Sequence, residues 1–163
     1  MSPFRPDIVA TWVFRMTEGD PEILLLRRAS GRILAGLWQC VTGSVEADER
    51  VAAGALREVR EETGLGPGDI EAFYDLDMVN LFHEPSVDGV YSEAVFAVRV
   101  RAGAIPTLSA EHDALRWVRP GEAGALTVWP AYRTAIERIE TDLLDPGRAP
   151  WFELTLDGMR GKR

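Results

Sequence analysis

Glutamates at positions 58, 61 and 62 lie three and four residues apart, with arginines at 57 and 60 beside them. On a helix such positions are neighbours, and each like-charged pair costs about 0.2–0.5 kcal/mol. Carboxylates gathered one turn apart are also what a hard cation such as Mg²⁺ or Mn²⁺ prefers as ligands. A cation held there can neutralise phosphate charge and activate a bound water. Arg57 can fix a carboxylate in one orientation, and Glu49 lies two turns earlier, roughly in line with it. Gly43 permits a tight turn and a close backbone approach to a ligand. Taken alone, the same charges also read as a solvated helix face.

The surrounding elements must position these groups. The stretch from about Glu49 to Thr63 is rich in Ala, Arg and Glu, with Val51, Ala55, Val59 and Glu62 at helical spacing. It predicts a helix capped by Gly64. Before it, residues 7–17 and 23–28 read as two strands joined by a turn over 18–22, and 37–42 as a short strand running into Gly43. After it, strands are expected at 70–80, 91–101 and 114–119, with a polar loop over 82–89. Pro120 opens a short helical turn, and about 130–144 is an amphipathic helix with Tyr132, Ile136, Ile139 and Leu143 on one side. Residues 145–163 form a Gly/Pro-punctuated tail. This alternation predicts an α/β fold layered around a mixed sheet.

The 163 residues suit one domain, 1–163. A net charge of −8 argues against a nucleic-acid partner. It leaves room for a polyphosphate, provided arginines and cations are placed locally. No apolar run is long enough for a membrane span, the N-terminus lacks a signal-like apolar stretch, and Cys40 is alone. A cytoplasmic protein is expected.

Gly43, five residues, Glu49, seven residues, and then Arg57-Glu58-Val59-Arg60-Glu61-Glu62-Thr63-Gly64-Leu65 resemble the signature box of the Nudix hydrolases, here 43–65. Every constrained position of that box is met. The resemblance implies an α/β/α sandwich and a hydrolase that uses Mg²⁺ or Mn²⁺ to cleave a nucleoside diphosphate linked to another group. It also implies that Glu58 and Glu62 are the principal metal ligands, that Glu61 joins them or their water, and that the Gly43 carbonyl is a backbone ligand. Arg57 and Glu49 hold the glutamates in place, and Glu58 is the base in some members. Glu111, ahead of Trp117, is the expected fourth carboxylate. Glu111, His112 and Asp113 also read as a plain polar turn, with His112 a loop histidine.

The run Leu37-Trp-Gln-Cys-Val-Thr-Gly-Ser-Val-Glu46, with "EHDALRWV" and "LTVWPAYRTAIERI" later, is similar to the dihydroneopterin triphosphate and dATP pyrophosphohydrolase branch. That likeness implies substrate contacts from Thr42 and Arg27 and a further cationic contact from Arg5; the aromatic and polar residues Trp38, Phe82, His83 and Tyr91 are the expected pocket lining. The expected partner is a small nucleotide or pterin polyphosphate, bound by a monomer or homodimer. The expected reaction takes a triphosphate to a monophosphate and pyrophosphate. The alternatives are hydrolysis of ADP-ribose or a diadenosine polyphosphate, and a non-catalytic nucleotide-sensing domain.

Overall fold

The structure, a computed structural model, describes residues 3–161. Residues 1–2 and 162–163, the outermost parts of the expected domain and tail, lie outside the described residues. The elements run β1 (Ile8–Thr17), β2 (Asp20–Arg28), β3 (Trp38–Gln39), β4 (Val41–Ser44), α1 (Val51–Thr63), β5 (Ile70–Glu84), β6 (Gly89–Val100), β7 (His112–Val118), α2 (Pro120–Leu126), α3 (Pro130–Arg138), a π-helical turn (Ile139–Leu143), α4 (Ala149–Phe152) and β8 (Glu153–Leu154).

The strands form a mixed sheet in the order β3-β2-β1-β6-β5-β8, with β4 also on β1 and β7 on β2. β1 runs parallel to β6 and antiparallel to β2 and β4. Being central, β1 is apolar on both faces, as a strand covered on both sides must be. Val9 and Val13 join a cluster with Ala52, Ala55 and Val59 of α1. Ala10, Trp12 and Phe14 join another with Ala123, Tyr132, Ala135, Ile136 and Ile139. Helices therefore cover both faces of the sheet, which bears out the expected α/β/α sandwich. No helix among the described residues is long and apolar enough to cross a membrane.

Several boundaries differ from expectation, each for a physical reason. The first hairpin turns on Glu18 and Gly19 alone, both at positive φ (53° and 90°), the backbone of a tight two-residue turn. The expected strand over 37–42 is two strands, because the chain passes from pairing with β2 at Trp38–Gln39 to pairing with β1 at Val41–Ser44. α1 starts at Val51, behind Arg50, rather than at Glu49. The expected loop over 82–89 shrinks to four residues, since Phe82, His83 and Glu84 pair with Tyr91, Val90 and Gly89. The long C-terminal helix is α-helical only to Arg138 and then widens, the Leu144 N–H donating to the Ile139 carbonyl at 3.1 Å. Within the tail, β8 docks on β5 at the sheet edge.

Candidate active site

The strand carrying the glycine and the helix carrying the glutamates meet at one point. β4 pairs with the first half of β1, placing Gly43 opposite Val9, and α1 packs on that face of the sheet. Glu58 then lies directly against Gly43: a Cβ built on Gly43 falls 1.9 Å from Glu58 Cδ. Only glycine leaves that space. At the helix C-terminus Gly64 takes the left-handed conformation (φ 69°) and its N–H donates to the Arg60 carbonyl. The loop that follows β6 docks on this end, the Ser109 N–H donating to the Glu62 carbonyl at 3.2 Å and the Thr107 N–H to Thr63 at 2.8 Å. Residues 109–112 are thereby brought to Glu62.

Arg57 is the hub. Its Nη2 and Nε donate to the two oxygens of Glu49 at 2.7 and 3.1 Å. Its Nη1 donates to Glu58 at 2.7 Å and to Glu61 at 3.3 Å, and Nη2 donates to the Ser44 carbonyl at 2.9 Å. A rigid fork of donors can serve all of these at once where a lysine cannot. Gly54 makes room for the arrangement, since a Cβ there would sit 2.8 Å from Glu49 Oε1. Hydrogen bonding to Arg57 holds the Glu49 carboxyl below its ordinary range.

Glu62 differs from its neighbours. It is 4% exposed and its Oε2 has no hydrogen-bond partner among the described residues. Burial, reinforced by Glu58 and Glu111, pushes its carboxyl up to about 8, against the opposing pull of Arg28 and the Thr42 backbone N–H. Glu58 is also raised, chiefly by burial, although Arg57 works the other way. Glu111 ion-pairs with Arg28 at 3.5 Å and is close enough to raise both Glu58 and Glu62.

The donor set fits a hard divalent cation: it is all oxygen, it gathers Glu58 and Glu61 beside a buried Glu62, and the Gly43 backbone leaves the space that Glu58 fills. Among the described residues, no three His, Cys, Asp or Glu side chains are already gathered into a ligand shell. Glu58 and Glu61 rest on Arg57, and Glu111 on Arg28, so arginines carry the neutralising charge.

The other expected contacts disperse. Arg5 is a loop brace, its guanidinium donating to the carbonyls of Ala47 at 2.6 Å, Glu46 at 2.6 Å and Glu49. Arg27 pairs with Asp113 at 2.7 Å and lies 5.8 Å from the Trp38 ring centroid, as does Arg116. β2 bulges between Arg27 and Arg28, and Arg28 is the one beside Glu111. The His83 side chain is 56% exposed and faces Asp88 near the tip of the β5–β6 hairpin, and the Phe82 ring lies tilted against Tyr91 with centroids 6.0 Å apart. Thr42 faces inward beside the cluster, its hydroxyl 3.4 Å from Gln39 Nε2. Clefts of about 540 and 510 Å³ flank α1, but neither is lined by Gly43, Glu58, Glu62 or Glu111.

His112 corrects the reading of a loop histidine. It opens β7, is 4% exposed, and its Nδ1 lies 3.8 Å from Glu62 Oε2. Burial pushes the imidazole down while it pushes Glu62 up, and both shifts work against an ion pair between them. Gln39, also buried, contacts its other ring nitrogen at 3.4 Å.

Known proteins share this arrangement of chain and fold. A CTP pyrophosphohydrolase of Escherichia coli (strain K12) is 35% identical over 124 residues, 73% of this chain and 82% of that protein. An octanoyltransferase of Myxococcus xanthus is 41% identical over 101 residues, 61% of this chain, and the matched part spans 27% of that protein. Among solved structures, the E. coli dihydroneopterin triphosphate pyrophosphohydrolase superposes with a TM-score of 0.66 and 27% identity, over 80% of this chain and 92% of that one. The model of the NUDIX domain matches residues 6–139, and the chain belongs to the NUDIX family.

Proposed function

We propose that the chain is a divalent-cation-dependent pyrophosphohydrolase, one catalytic unit that takes a nucleoside or pterin triphosphate to the monophosphate and pyrophosphate. The observation that carries this reading is the Arg57 hub, which orients Glu49, Glu58 and Glu61 beside a buried Glu62. Similarity to a CTP pyrophosphohydrolase and to a dihydroneopterin triphosphate pyrophosphohydrolase supports the substrate class.

In this reading Glu58, Glu61, Glu62, Glu111 and the Gly43 carbonyl hold Mg²⁺ or Mn²⁺. The cation supplies charge neutralisation on the phosphates and a water of lowered pKa. The protein's own residues do the rest. Arg57 and Glu49 keep the carboxylates in place before substrate arrives, so little reorganisation is needed during reaction. Glu58 and Glu62, whose carboxyls are raised by burial, are the candidate proton acceptors. Arg28, already beside Glu111, offers its fork to a phosphate oxygen, a role expected of Arg27 in the sequence. Thr42 offers a hydroxyl at the inner wall.

The test is pyrophosphate release with Mg²⁺ across nucleoside triphosphates, deoxynucleoside triphosphates, dihydroneopterin triphosphate, ADP-ribose and diadenosine polyphosphates. Strong turnover of one triphosphate, abolished by chelator, is expected. Turnover confined to ADP-ribose or a dinucleotide keeps the site and overturns the substrate class. No cation-dependent turnover of any of them overturns the reading.

A further inference from the structure

We propose that His112 is a positioning residue for Glu62, locked by Gln39 in the tautomer that carries its proton on Nδ1. The inference rests on the reading of Glu62 as a cation ligand. Glu62 Oε2 and His112 Nδ1 are two buried polar atoms without a hydrogen-bond partner among the described residues, and they face each other at 3.8 Å. The opposite ring nitrogen, Nε2, lies 3.4 Å from Gln39 Nε2.

The chemistry of the amide decides the tautomer. An amide nitrogen only donates, so the ring nitrogen facing it must be the acceptor. A neutral imidazole has one N–H, and that proton is then left on Nδ1, aimed at Glu62. The same Gln39 amide lies 3.4 Å from the Thr42 hydroxyl, so its second N–H also has an acceptor and the amide is held from both sides. A chain of contacts thus runs from Thr42 through Gln39 and His112 to Glu62.

A separation of 3.8 Å is longer than a hydrogen bond. Small rotations of two side chains close it, and the bond strengthens when Glu62 carries charge, because charge-assisted bonds are the strong ones. Oε2 is then fixed by His112, while Oε1, which accepts the Thr42 backbone N–H, keeps a second lone pair for the cation. The backbone bond from Ser109 to the Glu62 carbonyl keeps the two elements from drifting apart. His112 does not touch the reacting atoms in this scheme; it acts through Glu62.

Two readouts on the full chain test this. The first is ¹⁵N NMR of the imidazole of His112, which is expected to show the proton on Nδ1; a proton on Nε2 overturns the inference. The second is a Mn²⁺ titration followed by electron paramagnetic resonance, on the wild-type chain and on His112→Leu and His112→Asn, each first shown to be folded. Removal of such a partner weakens metal binding by roughly 10–100-fold, and that loss is expected for His112→Leu. His112→Asn, whose amide N–H takes the place of Nδ1–H, is expected to recover most of it, with kcat following the affinity and KM for the nucleotide nearly unchanged. Equal affinities for wild type and His112→Leu, or no recovery in His112→Asn, overturn the inference. Should His112→Leu not fold, Gln39→Leu takes its place and is expected to weaken Mn²⁺ in the same direction; unchanged affinity there overturns the tautomer lock. No Mn²⁺ binding by the wild-type chain overturns the underlying cation reading itself.

Discussion

Glu58 occupies the space where a side chain on Gly43 would begin, with the added Cβ only 1.9 Å from its carboxyl carbon. The two residues sit on different elements and fifteen positions apart in the chain, yet no side chain can be added at Gly43 without moving Glu58. Gly43→Ala must therefore swing Glu58 away and break its 2.7 Å bond to Arg57. A misplacement of about 1 Å costs on the order of 10²-fold in rate. We expect kcat/KM for the best triphosphate to fall by that much while the thermal midpoint moves little. Activity within a few-fold of wild type would contradict the close packing of this pair.

Arg57→Lys tests the hub. A lysine keeps the charge but cannot reach both Glu49 oxygens, Glu58 and the Ser44 carbonyl together. The unmet acceptors cost about 1–3 kcal/mol. The loss in kcat should be roughly 10–100-fold, as for other residues that orient ligands, with KM for substrate close to wild type. A variant that loses KM and keeps kcat would instead make Arg57 a substrate contact.

Gly54→Ala separates stability from activity. An alanine in place of a helical glycine is worth about 1 kcal/mol to a helix. The new Cβ would sit 2.8 Å from Glu49 Oε1, the far end of a side chain that can give way. The unfolding midpoint is expected to rise or hold while kcat/KM drops several-fold, because Glu49 is pushed off Arg57. Unchanged kinetics in a stabilised variant would remove Glu49 from the positioning of the cluster.

What could be read from the chain alone was what local pattern controls. α1 announced itself through helical spacing and its glycine cap, and the first hairpin through two β-branched runs around a turn. The break at Cys40 could not be read, because it reflects a change of pairing partner from β2 to β1, a long-range event. Phe82, His83 and Glu84 looked like loop beside Pro85, yet a strand partner in β6 draws them into the sheet. The glutamates, Arg57 and Gly43 were legible by type and spacing. Gln39 and His112 were not, since their importance comes from burial beside one another and Glu62, and Arg27 was singled out by family likeness, which carries no sign of the bulge between Arg27 and Arg28.

Glu62 also predicts how the cation-free protein responds to pH. Its carboxyl goes from an ordinary 4.5 to about 8 on folding. The folded state thus holds this proton more tightly than the unfolded chain, and stability must decline as pH climbs from about 4.5 to about 8. Each unit of such a shift is worth about 1.4 kcal/mol. His112 works in the opposite sense at the acid end: burial lowers it below 6.5, so its contribution rises until pH passes about 6.5 and is flat thereafter. Between about 6.5 and 8 the decline from Glu62 stands clear of it. Thermal midpoints in chelator should therefore fall across that window in the wild-type chain. In Glu62→Gln, which has no proton to lose there, the fall should be much shallower, with turnover abolished and the fold intact. Adding Mg²⁺ should restore the wild-type midpoint more at pH 8 than at pH 6, because below pH 8 the ion must displace the Glu62 proton. A wild-type profile that matches Glu62→Gln across the window would show that Glu62 is not the buried acid described here.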